Sequence, residues 1–162
     1  MKTVIIGSGS WGTALGQVLQ DNKQEVMIYG IVESEVNDIN ENHANSKYFP
    51  GVELNPDLKA TTDINVVKDA DIVLLAVPTI AIDPICKQIN ELISKKVIII
   101  NVSKGFHPET NERMSEVIRR CIDADKLSSV VSLIGPSHAE EVVIRLLTYI
   151  DAISLKEEAA IT

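Results

Sequence analysis

The sequence predicts a doubly wound α/β fold, a mostly parallel Rossmann-type sheet with helices on both faces. Three observations carry that expectation. Short apolar, β-branched runs alternate with stretches of helical period on short links. Two of the runs, residues 71–77 and 97–101, are apolar almost throughout, as strands buried on both faces are. The first run, residues 2–6, breaks into Gly7-Ser8-Gly9-Ser10-Trp11-Gly12 and passes straight into a helical stretch, the setting a dinucleotide loop requires.

The mechanism of such a loop is steric and electrostatic. Gly7 permits the turn out of the strand, and Gly9 has no side chain to hold a pyrophosphate off the backbone. Gly12 lets the helix approach the sheet, and the helix N-terminus offers free N–H groups to an anion. A plain strand–turn–helix is the alternative, and the flanking strand and helix favour the dinucleotide reading.

The elements follow in order. Residues 13–19 read as the first helix and 25–29 as the second strand, ending at Gly30-Ile31-Val32. In a dinucleotide fold this tip meets the adenosine ribose, where an acid suits a free 2′-hydroxyl and a base suits a 2′-phosphate. Glu33 stands just beyond, and no Arg or Lys follows before Lys47, a slight lean towards NAD over NADP. A helix is expected over 34–40. Residues 41–56, rich in Asn and holding Tyr48-Phe49-Pro50-Gly51, read as a loop. Its two rings could cover a cofactor or anchor the loop, and position alone favours anchoring.

Residues 58–62 form a short strand, and Asp63 caps a short helix over 64–69. The apolar strand 71–77 ends at Pro78. Ile82, Ile85, Ile89, Leu92 and Ile93 recur at helical spacing, with Pro84 placed in the first turn. After strand 97–101 comes Val102-Ser103-Lys104-Gly105. Met114, Val117, Ile118 and Cys121 make one face of a further helix. Residues 130–134 are a strand opening into Gly135-Pro136-Ser137-His138-Ala139, residues 147–154 the last strand, and 156–162 the start of a helix.

In open α/β sheets ligands lie beyond the carboxyl ends of the strands, so the tips at 7–12, 30–33, 78–80, 103–105 and 135–139 hold the candidates. Lys104 could face a cofactor and neutralise a phosphate, although most lysines are simply solvated. Ser137 and Glu140 have the spacing of a capping box, which would also present N–H groups to an anion. His43, His107 and His138 lack ligand-like spacing, so no metal is expected.

The chain has 162 residues and a formal net charge of −8. Its length suits one domain, and its acidity argues against nucleic acid, which needs a basic face. The longest apolar runs fall far short of the roughly 20 residues that span a membrane. No signal peptide fits before a strand that begins at residue 2. Cys86 and Cys121 lie within helical patterns and read as small buried hydrophobes. Cytoplasmic residence without disulfides is the expectation.

Four blocks in order, Gly7-Ser8-Gly9-Ser10-Trp11-Gly12-Thr13-Ala14-Leu15, Tyr48-Phe49-Pro50-Gly51, Ser103-Lys104-Gly105 and Gly135-Pro136-Ser137-His138-Ala139-Glu140-Glu141-Val142, make the chain resemble the N-terminal half of a bacterial NAD(P)-dependent glycerol-3-phosphate dehydrogenase. The resemblance covers the whole chain. It implies reversible hydride transfer between dihydroxyacetone phosphate and sn-glycerol 3-phosphate, serving phospholipid synthesis, with NAD or NADP as cofactor. It implies cofactor contacts at Gly7, Gly9, Ser10, Trp11, Gly12, Ile31, Tyr48, Lys104 and Ala139, and contacts to the phosphate substrate at Lys104, Gly135 and Ser137. Ile31 stands where the family often has Arg, His or Asn, and Leu146-Leu147-Thr148 where Pro-Thr is common.

The resemblance further implies that residues 1–162 are one NAD(P)-binding domain, with 147–162 at the edge of an absent helical half. That half would carry the catalytic lysine beyond Thr162, so no catalytic residue is expected in this chain and little turnover from it alone. Self-association through the face left open is expected. The alternatives are a non-catalytic NAD-binding or redox-sensing module and a ketopantoate reductase relative, the latter disfavoured by the third and fourth blocks.

Overall fold

A computed structural model describes residues 1–161. One seven-stranded sheet runs through it in the order β3-β2-β1-β4-β5-β6-β7. The strands are β1 Lys2–Ile6, β2 Glu25–Tyr29, β3 Ala60–Thr61, β4 Ile72–Leu75, β5 Val97–Asn101, β6 Leu127–Ile134 and β7 Asp151–Ser154. All neighbours are parallel except β6 and β7, which pair antiparallel from Val131↔Ser154 to Ile134↔Asp151. The helices are α1 Ser10–Asp21, α2 Glu33–Asn42, α3 Thr79–Leu92, α4 Met114–Cys121, α5 Ala139–Val143 and α6 Glu157–Ile161, with a 3₁₀ turn at Ile64–Asp69.

The alternation along each strand divides the core in two. Val4, Ile6, Val73 and Leu75 pack with α3, α4 and the 3₁₀ turn. Ile5 and Leu74 point the other way, against α1, α2 and α5. A strand side chain changes face at every residue, so a strand covered on both sides must be apolar throughout. Burying each such isoleucine contributes about 1.5–3 kcal/mol.

Several boundaries differ from the sequence expectation. Helix α1 begins at Ser10 rather than residue 13, so Gly12 is inside its first turn. β4 stops at Leu75, two residues short of Val77. Pro84 lies in the middle of α3, which starts at Thr79. Its missing N–H leaves the Ile80 carbonyl without an intrahelical partner, on a residue exposed to water. The last strand is shorter than 147–154 and runs against its neighbour, because 144–150 turns the chain back through a left-handed Arg145. Asp63 does cap the 3₁₀ turn, accepting from the Asn65 N–H at 2.9 Å. Thr162, the last residue of the expected terminal helix, lies outside the described residues.

Candidate functional site

β1 lies between β2 and β4, where the strand order reverses, and a ligand crevice opens at such a switch point. There the chain leaves β1 through Gly7, whose φ is +117°. A Cβ on Gly7 would stand 2.4 Å from the Ala76 carbonyl oxygen at the end of β4. Gly12 is tighter still, since a Cβ would stand 1.9 Å from the Gly7 carbonyl oxygen. The glycine between them behaves differently. At Gly9 φ is −72°, and a Cβ would meet nothing closer than the tip of the Tyr48 ring at 4.0 Å.

The protein itself therefore requires Gly7 and Gly12 but leaves open space over Gly9. That is the cradle a pyrophosphate needs. Gly9 is the N-cap of α1 and offers no side-chain acceptor, and the first turn carries no acidic residue. The N–H groups of Ser10, Trp11 and Gly12 precede the first intrahelical bond, which the Thr13 N–H makes to Gly9 at 3.0 Å. The residues present fit a dinucleotide.

Two openings flank this helix end. The first is a cleft of about 320 Å³ that brings Gly7, Gly9, Ile31 and Tyr48 together with Glu35 and Lys47. Its size is that of a small-ligand site. The second is a narrow slot lined by Trp11, Lys104, Gly135 and Ser137. It adjoins a hollow of about 410 Å³ that shares Lys104 and Gly135 and adds Arg113, Ser115 and Ser132.

Local structure explains these placements. Lys104 follows β5 on a turn held by two bonds: the Ser103 hydroxyl donates to the Val77 carbonyl at 2.5 Å, and the Ser103 N–H to Asn101 Oδ1 at 3.2 Å. The turn thus ties the tips of β4 and β5 and lifts the Lys104 ammonium to 6.0 Å from the centre of the Trp11 ring, within cation–π range. Gly135, at φ +151°, packs against the backbone of Tyr149, where a Cβ would be 2.6 Å from the carbonyl oxygen.

Ser137 is buried, but the capping box it was expected to make with Glu140 does not form. Helix α5 starts at Ala139 with His138 as N-cap and no side-chain cap bond. The Ser137 N–H is turned back to the Gly135 carbonyl at 3.0 Å, which shifts the helix start by one residue. Ala139 itself is buried with Ala14 and Leu15 between α5 and α1.

The two rings of the long loop divide the roles that the sequence left open. Phe49 is buried in the core beneath α1 and α2. Tyr48 is half-buried with its ring on the cleft. The loop is also pinned by Asn45, whose amide donates to the Ser8 carbonyl at 2.8 Å and to Thr13 Oγ1 at 2.7 Å.

Glu33 only begins α2 and is exposed, so it is not the acid of the cleft. That acid is Glu35, buried, with one oxygen accepting from the Ser8 hydroxyl at 2.6 Å and the other from Lys47 at 2.8 Å. The carboxylate in turn holds the Lys47 ammonium above its ordinary value, chiefly through that hydrogen bond. Ser8, Glu35, Asn45 and Lys47 escaped the sequence reading. Their partners lie 27 to 37 residues away in the cases of Ser8 and Asn45, and no local pattern signals such pairs.

His107 is a buried structural residue whose Nδ1 accepts from the Glu109 and Thr110 N–H groups, each at 3.3 Å. Among the described residues no group of three metal-binding side chains occurs, and no helix is long and apolar enough to cross a membrane.

Known proteins bear on this geometry. Residues 2–160 match the family described as NAD-dependent glycerol-3-phosphate dehydrogenase N-terminus. A glycerol-3-phosphate dehydrogenase [NAD(P)+] of Listeria monocytogenes is 50% identical over 145 residues, covering 89% of this chain and 43% of the relative. One from Streptococcus uberis is 43% identical over 160 residues, covering 98% and 47%. The crystal structure of glycerol-3-phosphate dehydrogenase from Coxiella burnetii superposes with a TM-score of 0.87 at 26% identity, covering 97% of this chain and 47% of that one. The chain thus spans under half the length of the curated relatives it matches. Family and cleft together support NAD or NADP as the cofactor. A glycine loop with an open middle position, a lysine raised beside the helix end and a family match over almost every residue lead to one assignment: the chain belongs to the NAD-dependent glycerol-3-phosphate dehydrogenase family, as its N-terminal part.

Proposed function

We propose that this chain is the cofactor-binding part of a glycerol-3-phosphate dehydrogenase, which exchanges a hydride between the nicotinamide and the dihydroxyacetone phosphate/glycerol 3-phosphate pair. The observation that carries the reading is the open space over Gly9 between two glycines that the fold itself requires. The bound nicotinamide supplies the hydride chemistry, and the protein supplies orientation and charge. The N–H groups of Ser10, Trp11 and Gly12 receive the pyrophosphate, and Gly7 keeps the turn that aims them. Tyr48 and Ile31 face the adenosine half. Lys104 stands between cofactor and substrate phosphate, with Gly135 and Ser137 on the substrate side of the same slot, and Ala139 closes the helix–helix packing beneath the cofactor.

Negligible turnover from the chain alone is the expected outcome, and a narrow slot in which, among the described residues, Lys104 is the one titratable lining residue supports it. The test is to mix it with NADH and dihydroxyacetone phosphate. Binding of NADH without its oxidation supports the proposal, and oxidation at a rate near that of the relatives overturns it. Absence of binding by calorimetry removes the cofactor reading itself. We further propose a cytoplasmic location, consistent with two free buried thiols, and self-association through exposed apolar side chains such as Leu147, Tyr149 and Leu155. The rival, a non-catalytic NAD-binding or redox-sensing module, also binds NAD(H); only its thiol-based form is disfavoured, because burial pushes the Cys86 thiol up to about 12.

A further inference from the structure

The turn after β2, where a dinucleotide fold meets the adenosine ribose, carries no cation in this chain. Its residue is Ile31, 83% exposed. Among the described residues, the one cation lining the cleft at Ile31 comes from another segment altogether. Lys47 reaches the cleft from the long loop, lying at the same mouth as Gly9, Ile31 and Tyr48. Its ammonium sits 2.8 Å from Glu35 and 5.0 Å from the centre of the Tyr48 ring.

The state of Glu35 gives this placement its meaning. A carboxylate with free oxygens at a ribose site accepts the 2′-hydroxyl and repels a 2′-phosphate. Here both oxygens are engaged, one by the Ser8 hydroxyl and one by Lys47, and the charge is balanced within the pair. Lys47 spends one of its three donors on Glu35, and its side chain remains 62% exposed. The ammonium is thus held in place at the cleft with donors to spare.

We propose that Lys47 recognises the 2′-phosphate of NADP, with Glu35 as the positioning residue that holds its ammonium at the adenosine end. The proposal rests on the cofactor reading above. It assigns phosphate discrimination to the long loop rather than to the residue after β2. Glu35 loses none of its buried hydrogen bonding to Ser8 when the phosphate arrives, and Lys47 bridges carboxylate and phosphate.

The test uses calorimetry of the 162-residue chain with two probes, 5′-AMP and 2′,5′-ADP, which differ only in the 2′-phosphate. The unmodified chain is expected to bind 2′,5′-ADP more tightly, with the steeper salt dependence. Lys47→Ala is expected to weaken 2′,5′-ADP about tenfold while leaving 5′-AMP within about twofold, as the loss of one charge-assisted bond requires. Lys47→Arg retains the preference. Glu35→Gln keeps the acceptor for Ser8 and loosens Lys47, so it broadens the discrimination without abolishing binding. Equal weakening of both probes by Lys47→Ala, or no weakening of either, overturns the proposal. If the unmodified chain, with a cooperative melt, binds neither probe, the cofactor reading fails and this inference with it.

Discussion

Gly12 and Gly7 are in closer contact than any other side chain would permit: a Cβ on Gly12 would lie 1.9 Å from the Gly7 carbonyl oxygen. Inside a helix the change from glycine to alanine ordinarily gains about 1 kcal/mol. Here the sign reverses, because the clash is with backbone that cannot rotate away. Gly12→Ala is expected to cost about 2 kcal/mol or more, read as a Tm lowered by several degrees. Gly9→Ala is the matched control: it is expected to leave Tm within about 2 °C and to weaken NADH at least tenfold by blocking the pyrophosphate. A Gly9→Ala variant that binds normally would remove the main support for the cofactor site.

Trp11 is the one tryptophan of the chain and lies in the first turn of α1 with Lys104 above it. NADH bound across that helix end accepts excitation from the indole, so titration is expected to quench Trp11 emission and raise nicotinamide emission together. Lys104→Met is expected to weaken NADH severalfold, through loss of one partly solvated charge contact. Quenching with no accompanying nicotinamide emission would place the cofactor elsewhere.

The cysteines give a test of a thiol-based sensor. Burial is the main cause that raises the Cys86 thiol, to about 12, and Cys121 beside it adds to the effect. Burial also raises Cys121. At pH 8 the thiolate fraction of Cys86 is on the order of 10⁻⁴. Neither thiol of the native chain is expected to react with a disulfide reagent within minutes, and both react once it is unfolded. Rapid native reaction would revive the sensor.

Asp21 links the end of α1 to the segment after α5, accepting from Arg145 Nε at 2.7 Å and from Asn55 at 2.9 Å. Partial burial pushes its carboxyl up, but the bonds from Arg145 and Asn55 outweigh it and the native value falls below the ordinary 3.8. A depressed carboxyl contributes stability above its unfolded value and loses it as pH falls through the native one. Urea midpoints are therefore expected to hold above pH 3.8 for this pair and to decline below it. Asp21→Asn should be less stable at neutral pH and show a shallower decline. An unchanged acid limb would mean that the pair contributes nothing.

Ile144, Leu146, Leu147 and Tyr149, in the segment that leads into β7, and Ile153 and Leu155, in the edge strand and just after it, are exposed. Apolar surface at an open strand edge invites association. Sedimentation is expected to show mass rising with concentration, and Leu147→Asp with Leu155→Asp to return the chain towards monomer. A monomer at all concentrations before substitution would contradict the proposed association.

What the sequence determined by itself was the alternation of strands and helices, the parallel sheet and the glycine loop. Each depends on neighbours within a few residues: β-branched runs, helical spacing, and Gly7, Gly9 and Gly12 in their strand–helix setting. The blocks at 103–105 and 135–142 pointed to the family for the same reason. Tertiary structure alone decided that Glu35 rather than Glu33 is the acid of the cleft, that Lys47 from the long loop brings a cation to it beside Ile31, and that Tyr48 lines the cleft while Phe49 is buried. It also decided that the chain reverses into an antiparallel β7. These outcomes depend on contacts between segments far apart in the chain, whose energies are settled only when the sheet brings them together, and no local pattern of residues encodes them.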